Sequence, residues 1–235
     1  MAAIGEFLFR YRNALFPFAY ALLLLPGPRL FGNPMSAAAI GALAAVAGQL
    51  VRVLTIGLRY IVRGGRGGRV YADDLVTEGV YGLCRNPMYT GNMLLVTGLA
   101  IASNSFVTLM TAVPLVVFAY SAIVAAEEAY LRNKFGAAFD AYCQDVPRWL
   151  PDIAAARQAL ATGTFHWRRV IVKEYGTPFG WINALCLVAL YNLWRRDALW
   201  SYRTVAQGLL VTMGLVTMLW LAARILKKTR RVVAD

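Results

Sequence analysis

The stretch LVTEGVYGLCRNPMYTG, residues 75–91, joins a polar, glycine-rich segment to an apolar run, and the chain is organised around it. Arg85 and Asn86 stand where a membrane helix is expected to begin. Pro87 suits the first turn of that helix, where its missing N–H would have no partner. A helix start offers unpaired N–H donors to an anionic ligand. The stretch therefore predicts either a binding site or an ordinary helix cap at the membrane surface, where arginine and tyrosine are common.

The composition is that of an integral membrane protein, and the apolar runs described below predict an all-α fold. Hydrophobic residues make up 59% of the 235 residues and charged residues only 15%, as in membrane proteins rather than soluble domains. The net charge of +12 is explained by membrane topology, and no recognition motif accompanies it that would indicate nucleic-acid binding. Three cysteines without a CxxC spacing and the single His166 indicate neither a disulfide framework nor a bound metal.

Six apolar runs predict six transmembrane helices. They cover approximately residues 14–25, 35–61, 87–102, 106–125, 178–194 and 204–226. The short polar turn at residues 103–105 predicts that the third and fourth form an antiparallel hairpin. After the fourth, apolar residues at positions 131, 135, 139 and 142 recur at helical spacing and predict an amphipathic helix on the membrane surface.

Basic residues are distributed unequally between the two predicted sides of the membrane. With both termini on one side, that side carries most of the 24 Lys and Arg residues, including those of the glycine-rich loop at 63–69. The other side carries only Arg29, Arg195, Arg196 and Arg203. The richer side is expected to be cytoplasmic, so both termini are predicted to be cytoplasmic, at the inner membrane if the chain is bacterial.

This topology brings two polar segments, residues 70–89 and 127–151, to the cytoplasmic end of the hairpin. The side chains then predicted to surround one pocket are Tyr81, Arg85, Asn86, Tyr89, Glu127 and Glu128. A carboxylate there is either a helix-end cap or a partner for Arg85. Alternatively, carboxylates beside an arginine bind a zwitterion, the carboxylates taking its amine and the arginine its carboxylate.

Two polar residues, Gln49 and Arg52, interrupt the second apolar run. Three residues apart on a helix, they share one face. Polar groups at membrane depth usually turn toward the protein interior, so an inward-facing pair is one interpretation. The other is that Arg52 extends from near the helix end to the lipid headgroups.

Several motifs in a fixed order resemble the isoprenylcysteine carboxyl methyltransferase family, whose wider group includes the phospholipid N-methyltransferases. The motifs are GQLVR (48–52), LVTEGVY (75–81), RNPMYTG (85–91), Glu127-Glu128, Phe135-Gly136 and VPRWLP (146–151). The resemblance implies an all-helical membrane enzyme that uses S-adenosylmethionine on the cytosolic side and takes a lipophilic substrate from the bilayer. The resemblance covers about residues 48–151. Together with the apolar runs it predicts an N-terminal transmembrane helix (1–34), a methyltransferase core (35–151) and a C-terminal extension with two transmembrane helices (152–235).

The resemblance also implies which residues form the site. Cofactor contacts are expected at Asp73, Asp74, Leu75, Val76, Tyr81, Asn86, Pro87, Met88, Tyr89 and Glu127. Catalytic roles, in the sense of holding the reacting cofactor, are expected for Arg85, Asn86 and Glu127. For the substrate, the resemblance implies a contact at the position of Ile123. Further substrate contacts are expected, from their charge and their place in the predicted topology, at Arg52, Glu128 and Arg148.

Two positions depart from the family pattern. Asn86 stands where the family has a histidine, and it keeps one hydrogen bond of the imidazole but not its ionisation. Ile123 stands where family members that methylate a prenylated cysteine have an arginine for the substrate carboxylate. Poor methylation of prenylcysteine carboxylates is therefore expected. Methylation of a phospholipid head-group amine is the alternative activity, and a small transporter or scaffold with buried polar residues is the alternative without catalysis.

Overall fold

The computed structural model describes residues 1–59, 70–152 and 164–229. Within these ranges the chain is helical and contains no strand. The elements are α1 (Ala2–Leu22), α2 (Pro34–Leu58), a 3-10 turn (Gly79–Gly82), α3 (Pro87–Ala102), α4 (Phe106–Phe135), α5 (Ala137–Asp145), α6 (Trp167–Glu174), α7 (Gly176–Trp194) and α8 (Arg203–Lys228). The predicted all-α class is thus confirmed. The basic loop at 63–69, the first part of the C-terminal extension and the C-terminal tail lie outside the described residues.

Within the described ranges, three helices, α2, α4 and α8, are long and apolar enough to cross a membrane. This finding agrees with the predicted membrane location. The helix α3, in contrast, has only 16 residues, fewer than the roughly 20 that usually cross the hydrocarbon core. The crossing of α1, α3 and α7, and with it the count of six spans, stays a prediction.

The helices α2 and α3 pack backbone against backbone. A Cβ atom built on Gly98 would lie 2.4 Å from the carbonyl oxygen of Gly41, and one built on Gly48 would lie 2.6 Å from that of Gly91. The pairing is antiparallel, and small residues allow membrane helices to approach this closely. A Cβ atom on Gly91 would also meet the Cγ atom of Arg52 at 2.6 Å. The close approach therefore lays the arginine side chain along α3.

The turn between α3 and α4 forms the predicted antiparallel hairpin. Asn104 adopts a positive φ of 52°, which asparagine tolerates better than most residues. Its side-chain oxygen accepts hydrogen bonds from the backbone N–H groups of Leu30 and Phe31, at 3.0 and 2.8 Å. Ser105 caps α4 by accepting a bond from the N–H of Thr108 at 3.2 Å. The turn thus also fixes the segment that connects α1 to α2.

The amphipathic helix predicted after the fourth apolar run is divided in two. The helix α4 continues to Phe135 and ends because Gly136 has a φ of +53°, after which α5 begins. The apolar positions still form one cluster, in which the buried Phe139 and Tyr142 contact Phe135 and Leu75. The spacing of the apolar residues therefore predicted correctly which residues pack together, although the helix is interrupted at Gly136 between them.

The C-terminal extension packs directly on the core. Trp181 of α7 lies in a buried cluster with Ala45 of α2 and with Leu95 of α3. Near the other end of α7, the side chain of Asn192 donates a hydrogen bond to the carbonyl oxygen of Ala102 at 2.9 Å. The helix α8 packs outside α7 and has no buried residue. The extension thus contributes α6 and α7 to the same bundle as the predicted core.

We expect Gly98→Ala to lower the stability of the fold by about 1–3 kcal/mol, the usual range for overpacking. The new methyl group would overlap the backbone of Gly41, so the two helices would have to separate. The matched control is Gly214→Ala on α8, where a Cβ atom would have nothing within 4 Å. Thermal unfolding in detergent measures both variants, and equal melting temperatures would contradict the proposed backbone contact.

Candidate active site

Two of the sequence motifs lie side by side in the structure. The backbone N–H of Arg85 donates to the carbonyl oxygen of Pro147, and that of Asp152 donates to Leu83, each at 3.0 Å. The hydroxyl of Thr90 and the thiol of Cys84 both donate to the carbonyl oxygen at position 149, at 3.0 and 3.1 Å. These bonds hold the RNPMYTG motif against the VPRWLP motif at the start of α3.

Asn86 occupies the N-cap position of α3 but does not cap the helix with its side chain. Its amide group instead donates to the carbonyl oxygen of Arg148 at 3.2 Å. Pro87 follows as the first residue of α3 and is buried. The interpretation of this stretch as an ordinary cap is therefore incomplete, since the asparagine side chain connects two separate motifs.

Glu128 is held between two arginines. Its carboxylate lies 3.2 Å from one terminal nitrogen of Arg85 and accepts a bond from the Nε atom of Arg148 at 3.1 Å. A second bond joins the other carboxylate oxygen to Arg148. The same nitrogen of Arg85 also contacts the sulfur of Cys143. Two guanidinium groups share one carboxylate, so this cluster carries a net positive charge.

The Nε atom of Arg85 is buried and has no hydrogen-bond partner among the described residues. Buried donors are rarely left in this way, because the missing bond costs about 1–3 kcal/mol. An anionic or polar group bound beside Arg85 would satisfy it.

Glu127 has a different environment from its neighbour. Tyr89 of α3 donates its hydroxyl to one carboxylate oxygen of Glu127 at 2.7 Å, and both side chains are half-buried. The ring of Tyr89 in turn packs on the ring of Tyr120, with centroids 5.0 Å apart. Consecutive residues on a helix point about 100° apart, so Glu127 faces α3 whereas Glu128 faces the two arginines.

The segment before the 3-10 turn is attached to the ends of α4 and α5. Asp73 and Asp74 are exposed, and Leu75 and Val76 are half-buried. The ammonium group of Lys134 donates to the carbonyl oxygen of Asp73 at 3.2 Å and also to that of residue 72. The four predicted cofactor residues of this segment thus lie next to the end of α4, on the same side of the bundle as Glu127.

Tyr81 is buried in the 3-10 turn, and its carbonyl oxygen accepts a hydrogen bond from the hydroxyl of Tyr142 at 2.7 Å. Burial raises the pKa of the Tyr142 hydroxyl above its ordinary value, so this group stays a donor at physiological pH. Burial likewise raises the pKa of the Cys84 thiol. Both groups therefore act as neutral donors that fix the backbone around the motifs.

Two predicted site residues are packed in the core. Met88 lies in a cluster with Ile56 of α2 and Val170 of α6. Ile123 is fully buried and packs with Phe9 of α1. The sequence predicted a substrate contact at Ile123, but it gave no indication that α1 packs against this position.

Arg52 faces inward, as one interpretation of the sequence expected. Its Nε and one terminal nitrogen bond both carboxylate oxygens of Glu174, at 2.5 and 2.9 Å. The latter nitrogen also donates to Thr177 at 3.1 Å, and the other terminal nitrogen bonds the amide oxygen of Asn92. All three nitrogens of the guanidinium therefore bond protein side chains.

Gln49 joins the same network. Its amide nitrogen donates to Glu174 at 3.2 Å, and its amide oxygen accepts from the indole of Trp181 at 2.9 Å. Sequence reasoning missed Glu174 as the partner of Arg52. The available signal was an acidic residue directly before the fifth apolar run, in a chain with an arginine inside the second.

Among the described residues, no group of three or more His, Cys, Asp or Glu side chains is arranged to hold a metal ion. The polar groups gathered at this end of the bundle are instead arginines, tyrosines, amides and carboxylates. Such groups bind polar organic molecules with both positive and negative charges.

Comparison with known proteins relates part of the chain to a family of membrane enzymes. Residues 36–138 match the family described as phospholipid methyltransferase. The predicted family resemblance is confirmed. The matched range contains Arg85, Tyr89, Glu127 and Glu128, and it ends before Arg148 and the whole of α6, α7 and α8.

Two curated proteins match parts of the chain. The cobalt-zinc-cadmium resistance protein CzcN of Cupriavidus metallidurans is 34% identical over 96 residues, which are 40% of this chain and 43% of that protein. The protein-S-isoprenylcysteine O-methyltransferase of Schizosaccharomyces pombe is 36% identical over 78 residues, 33% of each chain. The chain thus spans less than half the length of these relatives. No solved structure matches the chain.

We expect Glu128→Gln to destabilise the protein by about 1.5–3 kcal/mol, the range for hydrogen bonds to charged groups. The change leaves Arg85 and Arg148 close together without the negative charge between them. The control is Asp140→Asn, which removes the ion pair between Asp140 and Arg132. Both of these side chains are about half exposed. Such pairs contribute little. If thermal unfolding shows no difference between the two variants, Glu128 does not hold the arginines together.

Proposed function

We propose that this protein is an integral-membrane methyltransferase that uses S-adenosylmethionine and acts on a lipophilic acceptor. The family match over residues 36–138 supports the proposal. The observation that carries it is the convergence of the RNPMYTG motif and Glu127 at one end of the α3–α4 hairpin, joined by the bond from Tyr89. At this end Glu127 supplies a carboxylate, and its neighbour Glu128 belongs to the cluster with Arg85 and Arg148, which carries a net positive charge.

Each charged group has a proposed role toward the cofactor. Glu127 would bind the ammonium group of the methionine part, because a carboxylate forms a strong charge-assisted bond with an amine. Arg85 would bind the carboxylate of the same part, using the buried Nε atom that lacks a partner within the described residues. The net charge of the Arg85–Glu128–Arg148 cluster favours an anion there. Asn86 would fix the adjoining backbone through its bond to residue 148.

The other predicted cofactor residues would surround the rest of the molecule. Tyr81 or Tyr89 would pack against the adenine or the sulfonium, the latter through a cation–π contact. Asp73, Asp74, Leu75 and Val76 would contribute backbone and side-chain contacts from the segment held by Lys134. Pro87 and Met88 would contact the cofactor only from the buried start of α3.

The cofactor, when bound, supplies an activated methyl group together with its own leaving group. Methyl transfer is an in-line displacement, so the protein needs no nucleophilic side chain. The task of this chain is to align the acceptor with the methyl group and to exclude water. A carboxylate or thiolate acceptor arrives already charged, and a neutral amine loses its proton after the transfer.

Two observations bear on the acceptor. Ile123, fully buried, provides no charge for a substrate carboxylate. Arg52 is bonded through all its nitrogens, whereas the side chain of Arg148 is 43% exposed. A head-group amine of a phospholipid, which needs no arginine beside the reacting nitrogen, is the second candidate acceptor. The proposed location is a bacterial inner membrane, if the chain is bacterial, with both termini in the cytoplasm.

The first test of the function is cofactor binding. Calorimetry with the demethylated cofactor should show that Glu127→Gln loses about 1.5–3 kcal/mol of binding free energy, because one charged bond to the amine disappears. Asp197→Asn is a suitable control, since Asp197 lies between α7 and α8 with a φ of +52° that asparagine also adopts. Equal affinities for wild type and Glu127→Gln would exclude Glu127 from the site. Absence of binding to the wild type would favour a transporter or scaffold.

The second test concerns the acceptor. In liposomes with a radiolabelled methyl donor, we expect phosphatidylethanolamine, or another lipophilic acceptor without a carboxylate, to be methylated faster than a farnesylcysteine analogue. The reason is that Ile123 replaces the arginine expected for carboxylate recognition. If farnesylcysteine is the better acceptor and Arg148→Gln abolishes its turnover while phospholipid turnover persists, Arg148 binds the carboxylate and the interpretation of Ile123 is wrong.

A further inference from the structure

We propose that Glu174, in the C-terminal extension, is a positioning residue for the proposed cofactor site. It acts through Arg52 and Asn92 on the pair formed by Tyr89 and Glu127. The assignment of Glu127 to the cofactor rests on the proposed function. The network itself rests on contacts within the described residues, and Glu174 lies outside the range that matches the family.

The first link is the ion pair between Glu174 and Arg52. Their side chains are only 2% and 8% exposed, and two bonds connect them. Removing one partner of such a pair leaves an uncompensated buried charge. Glu174 is the last residue of α6, and Thr177 in the first turn of α7 bonds the same guanidinium. The junction between α6 and α7 therefore determines where the guanidinium lies.

The second link is the orientation of the Asn92 amide. A guanidinium only donates hydrogen bonds, so the amide oxygen of Asn92 must face Arg52. The amide nitrogen is then directed at the hydroxyl of Tyr120, to which it donates at 3.0 Å. If Arg52 were displaced, the amide of Asn92 would keep only its contact with Tyr120. A tyrosine hydroxyl can donate or accept a hydrogen bond, so this contact alone would not determine which end of the amide faces it.

The third link is the packing of two tyrosine rings. Tyr120 contacts Tyr89 with ring centroids 5.0 Å apart and an interplanar angle of 41°. The hydroxyl of Tyr89 donates to Glu127 at 2.7 Å. A change in the position of the Tyr120 ring would therefore move the donor that orients Glu127. The chain of contacts runs from the extension, through α2 and α3, to α4.

Two variants that remove charge distinguish a positioning role of Glu174 from a purely stabilising role: one replaces Glu174 alone, and the other replaces both members of the ion pair. Glu174→Gln should lower both the melting temperature and the affinity for the demethylated cofactor. The double variant Arg52→Met with Glu174→Met removes both charges, and such replacements often restore or raise stability. We expect its melting temperature to recover while its affinity stays about fivefold or more below that of the wild type, within the usual range for coupled residues. Recovery of both quantities would show a purely structural pair and overturn the proposal.

A variant further along the network keeps the ion pair intact. Asn92→Leu should weaken the affinity about as much as the double variant does, and adding Asn92→Leu to the double variant should weaken it no further. Residues that act through one chain of contacts are non-additive in this way. Fully additive losses would mean that Asn92 and the ion pair act independently, against the proposal. This comparison also applies if Glu174→Gln alone does not fold.

A measurement without cofactor distinguishes this proposal from the proposed function. With 3-fluorotyrosine at position 89, the fluorine resonance reports on the bond to Glu127, and Glu127→Gln calibrates its shift. The resonance should move in the same direction in the double variant and in Asn92→Leu, and stay in place in the control Asp197→Asn. An unmoved resonance in both test variants would overturn the positioning role. Absence of cofactor binding by the wild type, with the resonance moving as expected, would overturn the proposed function alone.

Discussion

A guanidinium group among apolar helices needs a partner, because neither lipid nor aliphatic side chains replace its water. Arg52 has this partner in Glu174, at the end of α6 and next to the start of α7. Because the pair is buried and doubly bonded, α6 and α7 cannot move away from α2 without exposing a charge to an apolar environment. The helices α6 and α7 are thereby fixed in the bundle, and the polar network that reaches α3 begins at a defined position.

A second, steric constraint is the close packing of α2 against α3, and it determines where the side chain of Arg52 lies. At Gly48 and Gly91 the backbones of α2 and α3 are so close that a methyl group would overlap a carbonyl oxygen. Only this separation lets the side chain of Arg52 lie along α3 and bond Asn92. The glycine and the arginine of the GQLVR motif thus serve one structural purpose, together with Gly91 of the RNPMYTG motif. The small residue allows the approach, and the charged residue uses it to connect three helices.

The parts of the fold that follow from local chemistry were predictable from sequence. The start of α3 at Pro87, the turn through Asn104 and the buried face of residues 131–142 all rest on spacing, proline and turn residues. The pairing of Arg52 with Glu174, and the covering of Ile123 by Phe9 of α1, were not predictable. Both join segments far apart in the chain. The acidic residue before the fifth apolar run indicated that a partner for Arg52 was available, but nothing local in the sequence shows that the two side chains meet. The inward orientation of Arg52 was one of the two interpretations that the sequence allowed, and its partner was not identified.

The adjacent carboxylates of α4 show how helix geometry divides one motif between two tasks. Because successive side chains diverge by about 100°, Glu128 is directed to Arg85 and Arg148, whereas Glu127 is directed to Tyr89. If both carboxylates had faced one ligand, their repulsion would have favoured protonation of one of them. With Glu128 neutralised by two arginines, the surroundings of Arg85 are positive and those of Glu127 are not. For the proposed cofactor this arrangement favours one direction, with its amine toward Glu127 and its carboxylate toward Arg85.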